Sequence, residues 1–204
     1  MVGRHRRHRH QPRSEGLRFV MTRWVLQLKL APEASVRDLP GAAGQHEPGS
    51  YGGGDATWDI VADVLPTVDR PGIEVVDAVA LAPVASQHVS LEGPRVKRTL
   101  LLGLKPGIPD DVRTSFEHSL TGMPLHIGAI RSWSLSRVDQ ALSPSRWTHV
   151  WEQEYESIDG LRVDYSRSSY HWAGVDRWFD TEMPDAIVEN TFTHVFYVAE
   201  RPVL

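Results

Sequence analysis

An α+β fold of ferredoxin-like order is what this 204-residue sequence predicts, and three observations carry it. Strand-like runs of β-branched and apolar residues recur along the chain. Helix-like segments, one following Pro109 and one over 157–180, fall only in the second half. Their order over 96–199 is β-α-β-β-α-β, in which helices cover one face of an antiparallel sheet. The first half repeats the strands and lacks most of both helices. Leu28-Lys29-Leu30-Ala31-Pro32 echoes Leu104-Lys105-Pro106, each at the end of a half's first strand, so a weak internal duplication is the economical account. The reading divides the chain into a disordered basic tail over 1–16, a degenerate ferredoxin-like half over 17–95 and a complete domain over 96–204.

The elements follow in order. Residues 24–30 (Trp-Val-Leu-Gln-Leu-Lys-Leu) form a strand that Pro32 stops. Between 31 and 50, Pro32, Pro40, Pro48, Gly41, Gly44 and Gly49 are too many breakers for a long helix. The triple glycine 52–54 lacks phosphate-loop spacing and leads into a strand over 57–64. Residues 73–84 make a third extended run, and 96–104 a strand closed by Lys105-Pro106-Gly107. Pro109 then opens a helix with Asp110 and Asp111 on its positive end. Val112, Phe116 and Leu120 share one face, and Gly122 with Pro124 is expected to end it. Residues 130–138 read as a half-buried strand. Over 147–155 a period of two puts His149, Trp151, Gln153 and Tyr155 on one face and Thr148, Val150, Glu152 and Glu154 on the other. Residues 157–180 read as helix, Pro184 closes that region, and 191–199 is a last strand.

Composition removes several function classes. The apolar fraction of 41% and charged fraction of 24% suit a globular chain and neither a membrane-spanning nor a disordered one. With no cysteine, disulfides, thiol nucleophiles and thiolate metal sites are excluded. Five arginines against Glu15 give residues 1–16 a net of +4, so the rest of the chain carries −8 within the overall −4. An acidic body argues against a nucleic-acid partner. No apolar run reaches a membrane span or a secretory signal, which makes a cytoplasmic protein with no membrane partner the expectation. Gly-x-Ser-x-Gly, P-loop and His-Glu-x-x-His motifs are absent.

The second half resembles the stress-responsive A/B barrel (Dabb) family of dimeric α+β barrels. The resemblance covers about 96–199. It rests on Leu104-Lys105-Pro106-Gly107, on Thr148-His149-Val150, and on Asp164-Tyr165 followed by Tyr170-His171. Where the family usually reads His-Pro-x-His, this chain reads Ser168-Ser169-Tyr170-His171. The resemblance implies two facing sheets that enclose a pocket, closed either across a homodimer or, with two repeats, within one chain.

One branch of that family is a plant polyketide cyclase whose acid–base pair is a Tyr and a His six residues apart, and Tyr165 and His171 match those positions. The resemblance thus implies acid–base catalysis without metal or organic cofactor, of cyclase, isomerase or lyase type, on a small apolar keto substrate. Imidazole suits proton removal beside a carbonyl, and a phenol can hold the resulting enolate. The bland alternative makes His171 an ordinary helix histidine and Tyr165 a core residue, in a barrel that only binds a small ligand. His149, Trp151 and Trp172 are the candidate substrate-binding residues, against the alternatives of a satisfied buried histidine and plain core aromatics. Trp178 and Phe179 extend the aromatic set. His149, His171 and His194 lack metal-ligand spacing, and a haem-dependent barrel would make His171 or His194 its axial ligand. Asp176, Asp180, Glu182 and Asp185 read as a solvated helix end.

Overall fold

The computed structural model describes residues 21–90 and 92–204; the basic tail over 1–16 lies outside the described residues. The strands are β1 (Thr22–Leu30), β2 (Ala42–Gln45), β3 (Ala56–Ala62), β4 (Ile73–Gln87), β5 (Arg95–Leu104), β6 (Ser132–Val138), β7 (His149–Tyr155) and β8 (Val188–Ala199). They form one antiparallel sheet in the order β2-β3-β1-β4-β6-β7-β5-β8. In each half the first strand lies between the third and the fourth, and the second lies beyond the third. That is the strand order of a ferredoxin-like sheet, repeated. The long β4 is the seam. Its first part pairs with β1 and its last part with β6, and the register shifts beside Pro83, which has no N–H to donate.

The sheet curls until its edges meet. Tyr51 and His194 exchange backbone hydrogen bonds of 2.8 and 2.9 Å, and the Glu47 amide donates to the Phe196 carbonyl at 2.8 Å. The result is a nearly closed barrel within one chain. Strand alternation then sorts side chains between lumen and outside. In β5, Val96, Leu100 and Leu102 pack outward under the helices with Phe116 and Leu120, while Leu101 joins Val25, Val79 and Val150 in the lumen.

Close approach inside the lumen explains one glycine in β2, a strand the breaker-rich reading of 31–50 did not anticipate. A Cβ on Gly44 would stand 2.0 Å from the buried Tyr197 ring. Gly44→Val should therefore cost about 1–3 kcal/mol of stability by overpacking, measured as a lower urea midpoint. An unchanged midpoint would mean the Tyr197 ring is not pinned.

Cover on the outer faces differs between the halves. Over the first, Val36, Leu39 and Val68 from loops pack on Trp24, Leu26 and Trp58, which is how this half manages without helices. Over the second lies α1 (Asp110–His126), which runs beyond the stop expected at Gly122 and Pro124. Gly122 serves a contact instead, since a Cβ there would meet the Tyr170 hydroxyl at 2.4 Å. That hydroxyl donates to the Ser119 carbonyl, and the Tyr170 ring stacks on His126 at 4.1 Å. The expected helix over 157–180 is two pieces, interrupted at Ser168 and containing π-helical turns (Gly160–Tyr165 and His171–Val175) followed by a 3₁₀ turn (Asp176–Trp178).

Candidate active site

In an unbroken α-helix, residues six apart point about 120° away from each other. Tyr165 and His171 nevertheless meet, with ring centroids 4.3 Å apart. The break at Ser168 and the wider π turns on either side make this possible. Ser168 holds the junction: its amide donates to the Tyr165 carbonyl (3.2 Å), its hydroxyl accepts from the His171 amide (3.4 Å), and its carbonyl accepts from the Trp172 amide (3.2 Å).

Both rings face a cavity of about 290 Å³ between the outer face of the sheet and these turns. Its floor comes from Arg98 and Leu100 of β5, Trp151 of β7 and His194 of β8. The resemblance implies a pocket enclosed between two facing sheets; here one curled sheet forms the barrel, and this cavity lies outside its lumen. Arg23, Asp59, Lys97, Glu152 and Tyr197 interact inside the lumen there instead.

Arg98 is 3% exposed. Its Nε donates to His194 Nε2 at 2.9 Å, its Nη1 donates to Gln153 Oε1 at 2.5 Å, and its Cζ lies 4.7 Å from the Tyr165 ring centroid. All three partners are neutral. Among the described residues no carboxylate lies in ion-pair range of this guanidinium, which cannot shed its proton.

The charge imprints itself on its neighbours. Burial first and Arg98 second depress His171 to about 4, and the same two causes depress His194 to about 3. Burial raises the Tyr165 phenol against the pull of Arg98, so it stays a proton donor at neutral pH. Burial, then Asp180, raises the Asp176 carboxyl. Asp176 Oδ1 lies 3.3 Å from His171 Nε2, whereas His171 Nδ1 is buried with no hydrogen-bond partner. A proton on Nε2, facing the carboxylate, leaves the Nδ1 lone pair without a partner on a ring that borders the cavity. The set comprises a neutral imidazole beside an acid, a phenol donor and a cation with no carboxylate in ion-pair range. It can take a proton from a carbon acid and stabilise the oxyanion that forms.

Comparison with known proteins places this architecture. Residues 96–188 match the model of the stress responsive A/B barrel domain. They form a stress-responsive A/B barrel domain. No curated protein sequence matches the chain. Among solved structures, one described as a "putative monooxygenase" from Lactobacillus acidophilus NCFM is similar at a TM-score of 0.52 and 8% identity, over 88% of this chain and 93% of that one. At that identity the likeness concerns the fold. A dimeric protein of unknown function and ferredoxin-like fold from Bacteroides fragilis NCTC 9343 matches at a TM-score of 0.39 and 20% identity, over 50% of this chain and 94% of that one.

The A/B barrel domain supplies Arg98, Trp151, Tyr165, His171 and Asp176 to the cavity. Tyr51, from the other half, stacks on His194 at 5.4 Å and completes the wall. Of the residues singled out in the sequence, Tyr165, His171 and Trp151 come together. His149 does not line this cavity. It is buried, with Nε2 3.0 Å from Glu117 Oε1 and Nδ1 2.8 Å from Thr148 Oγ1, and Arg137 holds the same carboxylate at 2.7 and 3.0 Å. That arrangement ties β7 to α1. Trp172 also lies outside the cavity, 62% exposed, its indole N–H donating to the Ser166 carbonyl.

Sequence reasoning passed over Arg98 and read Asp176 as part of a solvated helix end. Arg98 did carry a signal: it is a charge at the position of β5 that alternates with Leu100 and Leu102, on an apolar face. Asp176 carried none, because only the π turns swing it towards His171.

Proposed function

We propose that the protein is a cofactor-independent acid–base enzyme of cyclase, isomerase or lyase type, acting on a small keto substrate in this cavity. The observation that supports it best is His171 Nδ1, buried and unpartnered beside Tyr165, with Nε2 turned to Asp176. In this reading Nδ1 removes a proton beside a carbonyl, and Tyr165 donates to the carbonyl oxygen as it becomes an enolate. The repeated strand order supports the division at 95/96, with the first half acting as the second wall of the barrel. A homodimer remains part of the proposal, in addition to the closure within one chain.

Exchange of the methyl protons of acetophenone in D₂O, followed by NMR, tests this. The full chain should accelerate exchange above the buffer rate, and Tyr165→Phe should remove most of that acceleration while leaving the Tm nearly unchanged. Exchange no faster than buffer, or a Tyr165→Phe variant as fast as the parent, sinks the acid–base reading. The burial of His171 Nδ1 favours a second reading, a non-catalytic ligand-binding barrel, because burial and Arg98 hold the ring down to about 4 and make it a weak base. That reading predicts saturable ligand binding with no exchange.

A further inference from the structure

The other buried cations of the sheet set the standard by which Arg98 stands out. Lys97 lies 2.6 Å from Glu152, and Arg95 lies 3.7 Å from Glu154. Arg23, partly exposed, reaches both Glu152 and Asp59 at 2.5 Å. Each has a carboxylate. Arg98, equally buried, has His194, Gln153 and the Tyr165 ring, all neutral. It also borders the cavity. A permanent charge held away from water beside an opening, with no carboxylate in ion-pair range among the described residues, is a site arranged for a negative group that arrives from outside.

Two further features narrow the visitor. Trp151 shares the cavity floor with Arg98 and is fully buried, and its indole N–H has no hydrogen-bond partner. The walls are rings, with Tyr51 and Phe179 packed edge-on against Phe192 at 5.7 Å each. They favour a flat molecule. The cavity is about 290 Å³, roughly twice the ~150 Å³ that holds a benzene ring. A single substituted ring or a short conjugated chain fits.

We propose that the ligand of this cavity is an organic anion: a small, planar molecule whose carboxylate or acidic enol seats on Arg98, with Trp151 as a further donor. This rests on the cavity assigned above and names the class of substrate it takes. The assignment changes the expected chemistry of the substrate from merely apolar to acidic at one end.

Binding of benzoate and benzamide to the full chain, by calorimetry and tryptophan fluorescence, tests the proposal. Phenylacetate and phenylacetamide form a second pair. The carboxylates should bind about tenfold or more tightly than the amides, the scale of a charge-assisted hydrogen bond. Arg98→Met should abolish the preference, and Arg98→Lys should retain part of it. Equal affinity for acid and amide, no saturable binding of benzoate, or a preference that survives Arg98→Met overturns the proposal. Because the wild-type pairs already decide, a variant that fails to fold does not rescue it. Binding and exchange also fail separately. Carboxylate preference without proton exchange removes the acid–base reading and keeps the anion site, and exchange of acetophenone without that preference does the reverse.

Discussion

Glu152→Ala should cost the fold about 3–5 kcal/mol, the largest single loss expected in this chain. The reason lies in the lumen. Glu152 is fully buried, accepts from Arg23 at 2.5 and 2.7 Å, and accepts from Lys97 at 2.6 Å. Asp59 balances the set, taking Arg23 at 2.5 Å and the Tyr197 hydroxyl at 3.1 Å. Two cations face two carboxylates. Removing Glu152 leaves Lys97, itself fully buried, with Asp59 at 3.9 Å as its remaining carboxylate. Truncation thus exposes the desolvation cost that the pair had offset, whereas a matched apolar replacement of Lys97 and Glu152 together should cost much less. Urea unfolding of Glu152→Ala, Lys97→Met and the double variant Lys97→Met/Glu152→Met reads this directly. If the single losses are each below about 1 kcal/mol, as at an exposed pair, the lumen is wetter than described.

The same carboxyl predicts an acid limb of stability. Burial alone would raise Glu152, but Arg23 and Lys97 overcome it and hold the group at about 2, below its ordinary 4.5. A group depressed on folding contributes stability that is complete above 4.5 and is lost as pH falls from there towards 2. The stability of the parent should decline through that window more steeply than that of Glu152→Gln, which has no such proton to take up. Parallel curves would place the acid sensitivity elsewhere.

How much of this could be read in the sequence depends on how local each feature is. The alternation in β7 was legible, since Trp151 and Gln153 pack outward and Val150 and Glu152 inward through nothing more than a period of two. Tyr165 and His171 were legible as a pair by resemblance alone, because a regular helix would have separated them. The interruption at Ser168 that joins them is a consequence of backbone geometry that no residue pattern announces. Lys97 and Glu152 are visible as strand residues, yet their partnership depends on β5 pairing with β7 at one register, Thr99 opposite Glu152. Trp172 shows the opposite failure. Adjacent to His171 in sequence and in edge contact with it at 5.3 Å, it faces outward, because neighbours on a helix point in different directions. The end of α1 misled for a similar reason: Gly122 looks like a terminator until Tyr170, 48 positions later, is laid against it.

Removal of the imidazole in His171→Ala should lower turnover about 10²- to 10⁴-fold, the usual contribution of a positioned base, and the pH profile of the parent should show which form of the ring works. The base must be neutral. His171 lies at about 4, depressed by burial and by Arg98, so kcat/KM should fall as pH drops through about 4 and stay level through neutrality. The groups around it agree with a wide plateau: His194 lies lower still at about 3, and the Tyr165 and Tyr51 phenols are both raised above their usual 10. Asp176, raised from 3.8, can gain its proton in the same acid range and steepen the limb. An acid limb near 6.5, the value of a free imidazole, would contradict the burial and charge described for His171. Arg98→Met supplies the control, read by NMR titration of His171 in the free protein. With the guanidinium gone, the ring should titrate at higher pH, because one of the two influences opposing its protonation has been removed. If His171 titrates unchanged in that variant, burial alone sets its basicity. Arg98 would then act on the ligand and not on the base, and Arg98→Met should impair activity by weakening binding, seen as a raised KM with kcat preserved.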